Sequence, residues 1–265
     1  MALRPPFQYY GAKGRLGPFL ASLLPKHEVY VEPFAGSAAV FFAKDPVPIE
    51  TINDINGDLV CFMRTLRDRP RALIRAIEFT PYARAEHQAA KLGDTAASDL
   101  ERARRWWIQC TQSRSGEAGA SWRRPTSRTR VNNPAGSKRA AAALRWHAAR
   151  LREAFIEQVD AFELIERMDS PQTAMYVDPP YLRSTRNVFG SGHYVKEMDR
   201  EPEHRRLLEV LAKCKSAIIL SGYRSQLYDG LLADWRRIDY RVRATSSDDR
   251  RYAVESVWVK TPEPN

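Results

Sequence analysis

The chain has 265 residues, 43% of them hydrophobic and 28% charged, enough for one large domain or for one domain carrying a smaller insertion. No apolar run approaches the roughly 20 residues that a membrane-crossing helix needs, and Met1 to Pro6 lacks an apolar signal stretch. The formal net charge of +10 is concentrated: residues 101–152 carry twelve Arg and one Lys against two Glu, and the remainder is close to neutral. Such a patch suits a polyanion such as nucleic acid, with a solvated charged face as the plain alternative. Cys61, Cys110 and Cys214 lie far apart and in no Cys/His array. That argues against a disulfide framework and against structural zinc, and makes a reducing cytosol the simple location; no metal ligands are expected.

In chain order, Tyr30-Val31 enters a short strand that ends near Glu32-Pro33. A small-residue helix follows over Ser37 to Lys44, then a second strand over Ile49 to Ile55 with Asp54 near its end. Asn56 or Asp58 caps the next helix, whose apolar Leu59, Phe62, Met63 and Leu66 have helical spacing. This β-α-β-α order predicts an α/β fold built on a parallel sheet with crossover helices. From Tyr82 to Phe155 no strand is expected. Ser98-Asp99-Leu100-Glu101 opens a helix as a capping box, and Ser113 to Ser137 reads as loop. Ser137 then caps a second helix that contains Ala140 to Ala143, Leu144, Trp146, Leu151 and Phe155. Trp106, Trp107 and Trp146 are expected in the core of this region and Trp122 in its loop. Alternation resumes with strands at Thr173 to Val177 and Ala217 to Leu220, separated by an irregular stretch, Arg183 to Glu201, and a helix over Pro202 to Lys213. Strands near Ile238 to Ala244 and Val254 to Val259 form a closing antiparallel hairpin. The expected organisation is one α/β domain of residues 1–81 and 155–265, interrupted by a mainly helical, basic insertion of residues 82–154.

Three motifs carry chemistry. Val31 to Val40 runs from a strand through a small-residue turn, with Gly36, into a helix. Ligands of open α/β sheets sit at such strand ends, although a tight turn without a ligand reads equally well. Asp54 stands about 20 residues further on, where a carboxylate can accept from the hydroxyls of a ribose, or can simply cap a helix. Asp178-Pro179-Pro180-Tyr181 follows a buried strand. Two prolines fix an extended turn, aiming the Asp178 carboxylate and the Pro179 carbonyl outward as two acceptors for one amine. Tyr181 offers a flat face to a purine.

With these motifs in their order, together with Tyr9-Tyr10-Gly11-Ala12-Lys13, Asn53-Asp54-Ile55-Asn56, His204 with Leu207, Ser221-Gly222-Tyr223 and Glu255-Ser256-Val257, nearly the whole chain resembles the Dam-type DNA adenine-N6 methyltransferases of phages and prophages. The resemblance implies a Rossmann-like methyltransferase sheet with S-adenosylmethionine as cofactor. Its methionine end would lie near Tyr9, Tyr10 and Lys13, although composition alone reads Lys13 as a surface lysine. Pro33, Phe34, Gly36 and Ser37 would line its pocket, beside Asp54, Ile55 and Asp178. The tetrapeptide Asp178 to Tyr181 would be catalytic. The insertion would be a target-recognition domain acting on flipped adenine in double-stranded DNA. Arg114, Trp122, Arg123, Arg124, Arg128 and Arg130 are its candidate DNA contacts, with phosphate contact or plain solvation the default for any single Arg. A monomer or weak dimer is expected, and a cognate restriction enzyme is a partner such a chain can have. Two departures stand out: Ala38 where many relatives have a second glycine, and Gly11-Ala12-Lys13 where two glycines usually precede the lysine. Three other readings compete. One is an adenine methyltransferase acting on RNA, another a non-catalytic DNA-binding protein of the same fold, and the last a nicotinamide-dependent oxidoreductase, which the incomplete glycine fingerprint disfavours.

Overall fold

The structure, a computed structural model, describes residues 2–7, 9, 11, 13–91, 97–114, 119–123, 134–182, 198–243 and 252–261. In chain order its elements begin with α1 (Gly17–Ser22), β1 (Val29–Glu32), α2 (Ala39–Ala43), β2 (Ile49–Asn53), α3 (Gly57–Asp68), α4 (Pro70–Glu78), α5 (Arg84–Lys91), α6 (Asp99–Gln112) and α7 (Pro134–Leu151). They continue with β3 (Phe155–Glu157), α8 (Ala161–Met168), β4 (Thr173–Val177), α9 (Glu201–Lys213), β5 (Ala217–Gly222), α10 (Gln226–Leu231), β6 (Arg236–Arg243) and β7 (Tyr252–Lys260). The chain forms two compact units. One is Met1–Pro18 with Gly36–Asp45 and Asn56–Gln158, the other Phe19–Ala35 with Pro46–Ile55 and Val159–Asn265.

The second unit holds six strands of a mixed, seven-stranded sheet, in the order β2-β1-β4-β5-β7-β6. β1 pairs in parallel with β2 and with β4, and β4 pairs in parallel with β5. Thr173–Val177 of β4 and Ala217–Gly222 of β5 are buried along their whole length, the pattern of strands covered on both faces. β7 runs antiparallel to both β5 and β6, so the closing hairpin inserts its second strand beside β5. Leu164, Leu207, Leu211, Ile218, Leu220 and Trp258 share one buried cluster on this sheet. His204 is fully buried and satisfied: Nε2 donates to the Met198 carbonyl at 2.7 Å, and Nδ1 accepts from the Tyr228 hydroxyl at 2.7 Å. Its role is structural.

The first unit is mainly helical. Asn56 caps α3, its side chain accepting from the Asp58 and Leu59 amides, so the cap falls to Asn56 rather than to Asp54 or Asp58. Ser98 caps α6 and accepts from Glu101 N–H, as its spacing predicts. On α6 the buried Ala103, Trp106, Trp107, Cys110 and Thr111 recur at i, i+3, i+4, i+7 and i+8, one apolar stripe. Two expectations are corrected here. α7 starts at Pro134, a residue whose missing N–H costs nothing in a first turn, so Ser137 lies inside the helix and is not its cap. Trp146 is 57% exposed. The buried positions Ala141, Leu144, Ala148 and Leu151 define the inward face of α7, and Trp146 stands two residues from Leu144, on the opposite side. The stretch after α6 is also not wholly loop, since Ser113 and Trp122 form an antiparallel bridge.

α2 begins at Ala39, two residues later than the sequence pattern suggests, because the turn before it is left-handed at both Gly36 (φ 48°) and Ala38 (φ 53°). Glycine enters that region freely, whereas a Cβ there costs roughly 1–2 kcal/mol. Ala38→Gly relieves this strain but loses a buried methyl and adds freedom to the unfolded chain, terms of about 1 kcal/mol each. Its stability is therefore expected to stay within about 1 kcal/mol of the parent in denaturant melts. Ala38→Val puts a β-branched side chain into a strained, fully buried position and should cost on the order of 3 kcal/mol; an unchanged melt would refute the strain argument.

Candidate active site

Because β1, β2, β4 and β5 are parallel, their carboxyl ends lie along one edge of the sheet. Residues 32–35, 53–55, 178–182 and 222–223 therefore share that edge. Between β1 and β4 the strand order reverses, the place where open α/β sheets form a ligand crevice. Asn53 builds the loop after β1. Its side-chain nitrogen donates to the Pro33 carbonyl (2.9 Å), its side-chain oxygen accepts from Val159 N–H (2.9 Å), and its own carbonyl accepts from Ala35 N–H (2.8 Å). Pro33 is buried, Phe34 and Asp54 are half-buried, and Ile55 is exposed. A half-buried carboxylate and a half-buried aromatic on one sheet edge are chemistry that fits a nucleoside with hydroxyls to bind.

At the end of β4, Pro179 and Pro180 are buried while Asp178 and Tyr181 remain half-buried. The Tyr181 hydroxyl donates to Asp178 Oδ1 at 3.1 Å. Its ring meets Tyr223 edge-on, with centroids 4.9 Å apart and planes at 77°. Tyr223 in turn donates to Glu255 Oε1 (3.3 Å), and Tyr240 donates to Glu255 Oε2 (3.0 Å). Burial first, and then the Asp178 carboxylate, push the Tyr181 phenol well above its ordinary range. Burial, then Glu255 and Asp178, do the same to Tyr240. Both stay protonated donors at neutral pH.

In the first unit, the N-terminal segment is held by aromatic contacts. Phe7 packs edge-on against Phe62 of α3 (5.2 Å) and Trp106 of α6 (6.0 Å), and Tyr9 lies 5.9 Å from Trp106. His147 of α7 donates from Nε2 to the Arg4 carbonyl at 2.7 Å. Lys13 is only 5% exposed, and its carbonyl accepts from the Leu16 and Gly17 amides. Gly36 packs close to Tyr9: a Cβ there would stand 3.1 Å from the Tyr9 ring. Ser37 is buried.

Much of the basic segment is already engaged within this unit. Arg102 pairs with Asp58 (2.8 Å), Arg104 with Glu86 (3.1 Å) and Glu101 (2.7 Å), and Arg105 with Glu101 (2.9 Å). Arg150 lies over the Phe41 ring at 3.9 Å. Arg114 and Arg123 instead flank the Ser113–Trp122 bridge, where Arg114 N–H donates to Ser121 and Arg123 N–H to Gln112. Arg114 is exposed, and Arg123 and Trp122 are half-buried. The Trp122 ring is tilted on Tyr82 at 6.3 Å and carries the Arg84 guanidinium at 5.2 Å.

Of the residues marked by the sequence, Pro33, Phe34, Asp54, Ile55, Asp178, Pro179, Pro180 and Tyr181 stand on the carboxyl edge of the second unit. Tyr9, Lys13, Gly36 and Ser37 belong to the first, as do Arg114, Trp122 and Arg123. Tyr10, Arg124, Arg128 and Arg130 lie outside the described residues. Reasoning from the sequence attached no role to Asn53, Tyr223 or Glu255, although all three fall in its motifs. It passed over Tyr240, for which no motif gives a signal. The three cysteines are buried, and burial holds the Cys110 thiol well above its ordinary range and the Cys214 thiol up at about 11.

A mixed seven-stranded α/β sheet with an Asp-Pro-Pro-Tyr turn at the carboxyl end of a central parallel strand is a methyltransferase-like α/β fold. More narrowly, residues 9–243 match the D12 class N6 adenine-specific DNA methyltransferases, and the chain belongs to that family. The Type II methyltransferase M1.LlaDCHI of Lactococcus lactis subsp. cremoris is 37% identical over 76 residues, 28% of this chain and 26% of that protein, so the match spans about a quarter of the relative's length. A solved rRNA methylase from Streptococcus thermophilus superposes with a TM-score of 0.39 at 9% identity, covering 99% of each chain.

Proposed function

We propose that this protein methylates the N6 amine of adenine in double-stranded DNA. The observation that carries the reading is the turn after β4, where the half-buried Asp178 carboxylate accepts from the Tyr181 hydroxyl and two buried prolines lie between them. Bound S-adenosylmethionine supplies an electrophilic methyl group. Tyr9, Tyr10 and Lys13 hold its methionine end, Pro33, Phe34, Gly36 and Ser37 line its pocket, and Asp54 with Ile55 holds the ribose. Asp178 and the Pro179 carbonyl accept the two hydrogens of the target amine, whose lone pair is otherwise delocalised into the adenine ring. Held this way, the nitrogen becomes more tetrahedral and its lone pair is free to attack: the N–CH3 bond forms as the sulfonium S–CH3 bond breaks, S-adenosylhomocysteine leaves as a neutral thioether, and the methylated nitrogen gives up one proton to solvent. Positive charge develops on it during transfer, so fixed acceptors stabilise the transition state more than the ground state. Tyr181 stacks on the base.

The base must leave the duplex, at a cost of a few kcal/mol. Residues 82–154 form the target-recognition region in this reading. Arg114, Arg123, Arg124, Arg128 and Arg130 contact phosphates or guanine edges there, and Trp122 contacts the bases. The exposed Arg114 beside the Trp122 bridge supports that placement. The protein works in the cytoplasm, where DNA and cofactor are both found, as a monomer or weak dimer. It acts with a cognate restriction enzyme where one is present. Among the described residues no helix is long and apolar enough to cross a membrane.

The test compares methyl transfer to duplex DNA and to structured RNA over a salt series. Duplex DNA is expected to be the substrate. Binding should weaken about 0.9 log units per log unit of salt for each phosphate contact, with the slope lowered by about one contact in Arg114→Ala. Transfer to RNA but not DNA would move the assignment to an RNA methyltransferase. Failure to bind S-adenosylmethionine would move it to a non-catalytic DNA-binding protein.

A further inference from the structure

A second carboxylate stands beside the Asp-Pro-Pro-Tyr turn, and the chemistry of that turn assigns it nothing. Glu255 of β7 is 8% exposed. Two strand pairings bring it there. Tyr240 is its register partner on β6, and its neighbour Ser256 is the partner of Gly222 on β5, which sets Tyr223 beside Glu255. Each carboxylate oxygen accepts one phenol, from Tyr223 and from Tyr240. The Tyr223 ring meets the Tyr181 ring edge-on, and the Tyr181 hydroxyl donates to Asp178. An unbroken line of contacts thus runs Glu255, Tyr223, Tyr181, Asp178.

We infer that Glu255 is a positioning residue for methyl transfer: by holding Tyr223 and Tyr240 through their hydroxyls, it fixes the edge on which the Tyr181 ring rests, and with it the angle at which the turn presents ring and carboxylate. This rests on the reading that the turn grips the target base. The hydroxyls of Tyr181 and Tyr240 are fixed as donors to the two carboxylates. The phenols of Tyr181 and Tyr240 stay protonated under the joint pressure of burial and the two carboxylates, so each donates and each carboxylate accepts. A glutamate that only anchored the hairpin would govern stability and leave turnover alone. One that orients Tyr181 governs turnover at constant cofactor affinity.

The experiment measures steady-state methyl transfer to unmethylated duplex DNA by the full chain, the parent beside Glu255→Gln, Glu255→Ala, Tyr223→Phe and the Glu255→Gln/Tyr223→Phe double variant. Glutamine keeps the size and one acceptor, and alanine keeps neither. The expected kcat falls about tenfold in Glu255→Gln and in Tyr223→Phe, and about a hundredfold in Glu255→Ala, with KM for S-adenosylmethionine within about twofold throughout. The double variant should be no slower than its slower single parent, because both changes cut the same line. Folded Glu255→Gln and Tyr223→Phe with parental kcat, or effects that multiply, would overturn the inference. If the parent protein methylates neither DNA nor RNA, the proposed function fails instead. The line of contacts is then judged by near-ultraviolet circular dichroism of folded Glu255→Gln beside the parent: a changed tyrosine band is expected, and a superimposable spectrum would overturn it.

Discussion

Replacing Asp178 with alanine is expected to lower kcat for methyl transfer by about a thousandfold, the scale seen when one fixed group facing a developing charge is removed. That corresponds to about 4 kcal/mol of lost transition-state stabilisation. The fold should survive, because Asp178 is half-buried and loss of its hydrogen bond from Tyr181 costs about 1 kcal/mol. Cofactor affinity is the control. If Asp178→Ala binds S-adenosylmethionine within about threefold of the parent while kcat collapses, the carboxylate acts on the amine. If affinity collapses in step with turnover, the principal role of Asp178 is in the cofactor pocket.

The largest expected effect on stability is at Trp107. This side chain is 1% exposed and stacks on Phe62, with ring centroids 6.1 Å apart and planes 16° from parallel. Trp107→Ala removes that stack and leaves a cavity between α3 and α6, at a cost of about 3–5 kcal/mol. Trp146→Ala removes a residue of the same kind from a neighbouring stretch of sequence, yet should cost under about 1 kcal/mol, because Trp146 is 57% exposed and its ring meets the Arg145 guanidinium at 5.1 Å. Urea melts of the two variants measure the difference directly. Equal losses would place Trp146 in the core after all.

The contrast between these two tryptophans marks how far the sequence carries. Several local rules hold, although the cap assigned to Ser137 does not. The apolar run Thr173 to Val177 followed by two prolines ends a buried strand where the structure ends β4, and Asn56 and Ser98 cap the helices that their side chains can cap. The β-α-β-α opening reads as parallel pairing, and β1 and β2 pair in parallel. Trp146 was misplaced because α7 is rich in alanine, and small residues on every face leave the apolar stripe without a phase until Leu144, Ala148 and Leu151 are seen to be buried. The pattern carries the second helix on to Phe155, but α7 stops at Leu151 and Phe155 opens β3; a three-residue strand, like the six-residue α10, carries too little periodicity to register.

The candidate site divides the same way. Asp178 to Tyr181 are contiguous, so the sequence displays them together. Glu255, Tyr223 and Tyr240 lie 32 and 15 residues apart along the chain, and only the antiparallel register of β5, β7 and β6 makes them neighbours. No spacing rule encodes a cross-strand pair whose intervening turn is unknown. The charge of residues 101–152 was legible as a total but not in its use. Ion pairs within the first unit engage Arg102, Arg104 and Arg105, while Arg114 remains exposed beside Trp122.

The most direct measurement incubates the protein with unmethylated duplex DNA and S-adenosylmethionine labelled in its methyl group, digests the DNA to nucleosides and separates them. Label recovered as N6-methyl-2′-deoxyadenosine is the expected result. Label on cytosine, or none in DNA although the cofactor binds, would contradict it.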